Sequence, residues 1–142
     1  MIYTEKTKKA MQLCFEAHKD QLDKSGLPYV FHPFHLAEQM KDETTTVVAL
    51  LHDVVEDTDI TLNDIAKEGF GDEVVQALSL LTHEDEVQYM DYVAKIKDNP
   101  IAKTVKLADL AHNSDLSRLD VVDEKALKRR EKYQKAIAFL NE

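Results

Sequence analysis

Tryptophan is absent from this chain, and cysteine, glycine and proline are nearly so, with one Cys, three Gly and three Pro in 142 residues. The lone Cys14 excludes an internal disulfide and a thiolate metal site, and its place in an apolar helical pattern marks it as a buried free thiol. So few Gly and Pro leave too little turn chemistry for a loop-rich sandwich or barrel. Basic charge is also short. Lys and Arg total 18 against 27 Asp and Glu, a net charge of −9, which argues against a nucleic-acid polymer as partner. An anionic small molecule is still admitted, because a bound divalent cation and a few local lysines can reverse the field inside one cleft. No apolar run approaches membrane-spanning length and no signal peptide is evident. No membrane partner is therefore expected, and the cytoplasm is the expected compartment.

What is present is helical. Ala, Leu, Lys, Glu and Asp dominate a chain that is 44% hydrophobic and 32% charged, the composition of a soluble all-α domain. Apolar positions Ala10, Leu13, Cys14 and Ala17 recur at helical spacing within 3–22, and Asp23-Lys24-Ser25-Gly26-Leu27-Pro28 breaks the pattern. Tyr29 to His35 leads into a second helix with Pro33 in its first turn. Residues 42–46 read as a connection and Val47 to Val55 as an apolar helix. Thr61-Leu62-Asn63-Asp64 has capping-box spacing and opens a short helix ending at Gly69. Further helices are expected from Gly71-Asp72 through Leu81, over 87–97, over 101–112 and over about 123–140. The last has Ala126, Leu127, Tyr133, Ile137 and Leu140 as its inner stripe. One all-α domain of about seven to nine helices, spanning 1–142, is the predicted architecture.

The chemistry concentrates in Leu51-His52-Asp53-Val54-Val55-Glu56-Asp57-Thr58. On a helix His52 and Glu56 are four apart, as are Asp53 and Asp57, so each pair projects from one face. Unpaired burial of such groups costs several kcal/mol each, which makes a cation their natural partner. His32 and Asp109 are two more candidates beside apolar stretches. Imidazole and carboxylate ligands suit manganese, iron or zinc, with open positions for water and a phosphate oxygen.

His32, His52-Asp53 and Asp109 together resemble the H…HD…D signature of HD-domain phosphohydrolases. Lys24-Ser25-Gly26, Pro28-Tyr29-Val30, His32-Pro33, the 51–58 run, and Val105-Lys106-Leu107-Ala108-Asp109 with His112-Asn113 are similar to the hydrolase domain of RelA/SpoT-type proteins. The resemblance covers roughly residues 8 to 119 and implies an HD-domain helical bundle that cleaves (p)ppGpp, the nucleotide of the stringent response, as a small stand-alone hydrolase. It implies His32, His52, Asp53 and Asp109 as ligands of one divalent metal, manganese being usual, and Glu56-Asp57 as the pair that activates water. Lys24, Ser25 and Tyr29 match the loop that contacts nucleotide, and Asn113 matches a residue lining the cleft. Two-metal members usually carry two further histidines between the HD pair and the last aspartate; only His83 stands there, so one metal is expected. Asp23 stands where these hydrolases commonly place a basic residue.

Three functions follow: (p)ppGpp 3′-pyrophosphohydrolase, phosphatase of another nucleotide or phosphorylated cofactor, or a nucleotide-sensing module. The acid pair favours an enzyme over a sensor. A homo-oligomer is compatible with each. Lys106, three residues before Asp109, is a candidate for a carboxylate or phosphate partner. Arg118 is expected either on the substrate or paired with an aspartate. His35 and His112 are expected to support the ligands, and His18 and His83 to be partly exposed or solvated. The basic run 125–135 reads as a solvated face.

Overall fold

The computed structural model describes residues 1–142. Nine α-helices and a short 3₁₀ turn follow in order: α1 (Glu5–His18), α2 (Phe31–Glu38), α3 (Glu43–Leu51), α4 (Val54–Asp57), α5 (Leu62–Lys67), α6 (Asp72–Leu81), α7 (Tyr89–Lys97), α8 (Pro100–Asn113), the 3₁₀ turn Leu116–Arg118, and α9 (Glu124–Leu140). The all-α expectation holds.

Local chemistry sets most of the boundaries. Thr4 and Thr7 exchange reciprocal capping bonds ahead of α1, and Thr61 and Asp64 do the same at α5, as the spacing predicted. Gly69, at φ 82°, takes the left-handed conformation that stops α5. Asn99 Oδ1 accepts the Ala102 N–H at 3.0 Å and Pro100 occupies the first turn of α8, where its missing donor costs nothing.

Three expectations need correction. The apolar helix begins at Glu43 rather than Val47, because Asp42 caps it by accepting the Thr45 N–H at 2.7 Å. It also ends at Leu51 rather than Val55. Asp53, at φ −108° and ψ 2°, breaks the helix and caps α4, so His52 and Glu56 do not lie on one straight helix. The first helix stops at His18 rather than Leu22. Leu22 instead pairs with Pro28 in an isolated antiparallel bridge, which closes the loop 23–27 with Gly26 at φ 84°.

α3 is the central helix. Every residue from Thr45 to Leu51 is buried, and α1, α2, α6 and α8 surround it. The α7–α8–α9 group packs on the far side. A single buried cluster draws residues from all nine helices, among them Cys14, Leu36, Leu50, Leu51, Val54, Ile65, Leu78, Ile96, Leu110 and Leu140. Truncating Leu51 to Ala would cost roughly 2–5 kcal/mol and loosen the end of α3, which His52 caps. Burial pushes the Cys14 thiol up to about 12, so it packs and does not react. Leu127, expected inside, is 44% exposed; the rest of the expected stripe of α9 holds, with Ala126 and Leu140 buried and Tyr133 and Ile137 packed partly buried against the core, joined by Ala136.

Candidate metal centre and nucleotide cleft

The break between α3 and α4 has a direct chemical consequence. Neighbouring side chains on a straight helix diverge by about 100°, yet here His52 Nε2 and Asp53 Oδ2 lie 3.1 Å apart. From α2, His32 Nε2 comes within 2.9 Å of Asp109 Oδ1 on α8, and His52 Nε2 lies 3.5 Å from the same oxygen. The ligand atoms of His32, His52 and Asp109 all fall within 4.8 Å of one another, and all three residues are buried. Asp53 joins through His52, and the Tyr29 hydroxyl donates to its Oδ2.

This donor set fits a divalent cation. His52 Nδ1 donates to the Ala49 carbonyl at 2.7 Å, which fixes the ring and leaves Nε2 as the free lone pair. That Nε2 is buried and has no hydrogen-bond partner, although two carboxylate oxygens stand beside it. A buried orphan atom needs an explanation, and a shared cation supplies one. Two imidazole nitrogens and two carboxylate oxygens suit a borderline divalent metal.

Electrostatics agree. Burial opposes charge on Asp109, but Lys106, His32 and His52 outweigh it and hold the carboxyl well below the usual range. Lys106 Nζ donates to Asp109 Oδ2 at 3.0 Å, which leaves Oδ1 to face the two imidazoles. Burial likewise opposes charge on Asp53, yet His52 brings it down to about 2. Glu56 and Asp57 behave in the opposite way. Burial, reinforced by Asp53 and Glu56, raises Asp57 to about 6, and burial also raises Glu56 against the His83 N–H, which donates to its Oε1 at 2.6 Å. Two carboxylates that bind protons readily therefore flank two that do not, which is how environment divides acid–base roles.

The remaining predicted residues line a cavity of about 730 Å³ that opens onto His32, Glu56 and Asp57. Lys24, Ser25, Tyr29 and Asn113 all lie on it. Asn113 donates to Asp109 Oδ1 at 3.0 Å, so it bridges the buried cluster and the cleft. Tyr29 presents its ring to the cleft while its hydroxyl is taken by Asp53. Lys106 is absent from this lining. It lines a smaller cavity of about 220 Å³ together with Asp53, Glu56, Asp109 and Asn113, where it is held by Asp109 and lies 5.2 Å over the Tyr92 ring.

The departure at Asp23 resolves structurally. Its Oδ1 accepts from Ser25 N, Ser25 Oγ and Leu27 N, and Arg118 Nη2 reaches Oδ2 at 3.2 Å. This carboxylate anchors the loop that carries Lys24 and Ser25, with its charge already answered, and Arg118 takes the aspartate-paired alternative.

Sequence reasoning missed three features. Arg129 and Tyr133 line the main cavity from α9. The signal was available: Arg129 lies four residues before Tyr133, which had been placed on the inner stripe, so the two share a face. His18 is fully buried, with Nδ1 2.8 Å from Gln21 Oε1 and its ring 5.0 Å from that of Tyr29. His83 is not solvated; its Nε2 donates to the Val87 carbonyl at 2.6 Å and its ring stacks on Tyr92. His112, by contrast, takes the supporting place expected of it: it meets His32 nitrogen to nitrogen, and burial and Arg118 push it down to about 4.

A family model described as an HD domain matches residues 10–118. The chain belongs to the HD-domain family. It is 35% identical over 136 residues to a probable GTP pyrophosphokinase of Mycobacterium leprae (strain TN), covering 87% of this chain and 17% of that relative. It is 32% identical over 123 residues to a guanosine-3′,5′-bis(diphosphate) 3′-pyrophosphohydrolase of Aquifex aeolicus (strain VF5), covering 78% of this chain and 18% of the relative. The HD domain thus spans less than a fifth of the length of these curated relatives. The solved structure of a metazoan ortholog of SpoT that hydrolyzes ppGpp shares its fold, with a TM-score of 0.79 at 24% identity over 99% of this chain and 87% of that one. No helix of the HD domain is long and apolar enough to cross a membrane.

Proposed function

We propose that this HD domain is a divalent-metal phosphohydrolase of an anionic nucleotide, and that its substrate is (p)ppGpp, from which water releases the 3′-diphosphate as pyrophosphate. The observation that carries the reading is the convergence of His32, His52, Asp53 and Asp109, with His32 opening onto a cleft also lined by Glu56, Asp57, Lys24, Arg118 and Arg129. The two named relatives support the substrate, since both names specify guanosine nucleotide chemistry.

The four ligands would hold one ion, for which manganese matches the mixed nitrogen and oxygen donors. A divalent cation in that position supplies Lewis-acid polarisation of a phosphoryl oxygen and acidifies water. The rest is done by the chain. Glu56, pinned through Oε1 by the His83 N–H, keeps Oε2 to take a proton from the attacking water. Asp57, with its raised proton affinity, is the neighbouring store for that proton. Lys24, whose ammonium is destabilised by burial and by the nearby Arg129 and Lys132, gains most when an anion enters. Asn113 and Tyr133 line the cleft that the nucleotide would enter.

The test is a panel of phosphorylated nucleotides and cofactors offered to the manganese-loaded protein. We expect ppGpp to yield GDP and pyrophosphate in equal amounts. Turnover of a different member of the panel with ppGpp untouched overturns the substrate, and ppGpp binding without any turnover overturns the enzyme.

A further inference from the structure

The His32 ring is gripped on both nitrogens by two residues of α8 that are three apart. Asp109 Oδ1 stands 2.9 Å from Nε2, and His112 Nδ1 stands 2.7 Å from Nδ1. The His32 and His112 rings are nearly coplanar, 6° apart, with centroids separated by 5.0 Å. That separation is the N···N distance plus the two ring radii, so the contact is an in-plane, in-line N–H···N hydrogen bond and not a face-to-face stack. Two nitrogens so close must share one proton.

We propose that His112 is a positioning residue for the metal centre: its Nδ1 accepts the Nδ1–H of His32, which fixes His32 in the tautomer that aims the Nε2 lone pair at the cation. The inference rests on the reading of His32, His52, Asp53 and Asp109 as a cation site. Once Nε2 ligates, the only proton left on a neutral His32 ring is on Nδ1, and the only acceptor at that atom is His112. A ligating histidine needs such a partner to set its tautomer and orientation. For His52 the partner is the Ala49 carbonyl. For His32 no backbone carbonyl serves, and a second imidazole takes the role.

The supporting residue is itself held. The Arg118 guanidinium donates from Nη1 to the His112 carbonyl at 3.0 Å and from Nη2 to Asp23, and the exposed His35 ring covers His112 at 4.2 Å between centroids. The 3₁₀ turn and the loop 23–27 thus brace His112 from the cleft side. His112 is not itself among the residues lining the main cavity, and it makes no hydrogen bond to Glu56 or Asp57, so its effect is exerted through His32.

The experiment uses the intact protein, stripped of metal and titrated with Mn2+ by calorimetry, and with diamagnetic Zn2+ for nitrogen-15 NMR. In the Zn2+ form we expect His32 Nδ1 to carry a proton and to show a through-hydrogen-bond N–N coupling to His112 Nδ1. We expect His112→Ala to weaken Mn2+ binding about 10- to 100-fold. His112→Asn, whose amide oxygen falls near the position of the lost Nδ1, should recover much of that loss. Wild-type NMR with His32 Nδ1 unprotonated and uncoupled overturns the inference even if the variants fold poorly. So does unchanged affinity in a folded His112→Ala protein. Absence of stoichiometric metal binding by the wild type, in contrast, overturns the underlying site and is recognised before any variant is made.

Discussion

Arg118 Nη2 bonds Asp23 Oδ2 at 3.2 Å across 95 residues of chain, with the side chains 23% and 9% exposed. The pair ties the loop carrying Lys24 and Ser25 to the segment after α8. It also sits between the main cavity and a second one of about 400 Å³ lined by Phe31, His35 and His112. An acidic residue lining the main cavity is thereby neutralised by an arginine that lines the same cavity.

If the pair orders the loop, Arg118→Ala should weaken substrate binding more than turnover. Losing a partly buried charged hydrogen bond costs about 1 kcal/mol, which corresponds to a roughly fivefold rise in KM. Steady-state kinetics should show kcat and metal content nearly unchanged. A loss confined to kcat would remove the loop from the account.

Asp57 gives a stability prediction whose sign follows from its raised proton affinity. Its folded value of about 6 exceeds the ordinary 3.8, owing to burial first and then to Asp53 and Glu56. A raised carboxyl contributes stability that is fully present below the unfolded value and lost as pH rises through the folded one, here between about 4 and 6. At pH 7 the metal-free protein therefore carries a penalty. The full shift is discounted to the order of 1 kcal/mol because the side chain is partly open to solvent. Asp57→Asn should raise the metal-free Tm by a few degrees at pH 7 and leave it unchanged near pH 3.5. Thermal unfolding in chelator at the two pH values reads this directly; equal effects at both would refute the electrostatic origin.

Glu56 separates chemistry from metal binding. Glu56→Gln keeps the hydrogen bond from His83 N–H yet removes the proton acceptor, so turnover should fall roughly 100- to 10,000-fold. Metal content, measured by elemental analysis, should stay at the wild-type level. Unimpaired turnover would take Glu56 out of the mechanism.

The helices were legible because their signals are local. Thr61 and Asp64 announce a capping box, and Pro33 and Pro100 announce first turns, from a few adjacent letters. The candidate cluster was legible for another reason: His32, His52-Asp53 and Asp109 are recognisable as a pattern even when their meeting point is not. What escaped depends on backbone geometry and on distant partners. Helical spacing placed His52 and Glu56 on one face, whereas the turn at Asp53 breaks the helix and swings two neighbours onto one point. His18 looked like an ordinary residue of an amphipathic helix, and its burial depends on the chain folding back at Leu22–Pro28. Arg129 was hidden among five other basic residues of its run, marked only by its spacing of four from Tyr133, and the packing of α9 across α8 turns that face to the cleft.

The central claim is that four side chains from three separate segments form one cation site, and its most direct test is metal stoichiometry. Stripped wild-type protein titrated with Mn2+ should bind one ion per chain. Asp53→Ala, which removes an oxygen beside the orphaned His52 Nε2, should abolish stoichiometric binding while the helical content measured by circular dichroism persists. Wild-type protein that binds no ion, or an Asp53→Ala protein that retains a full equivalent, would contradict the account.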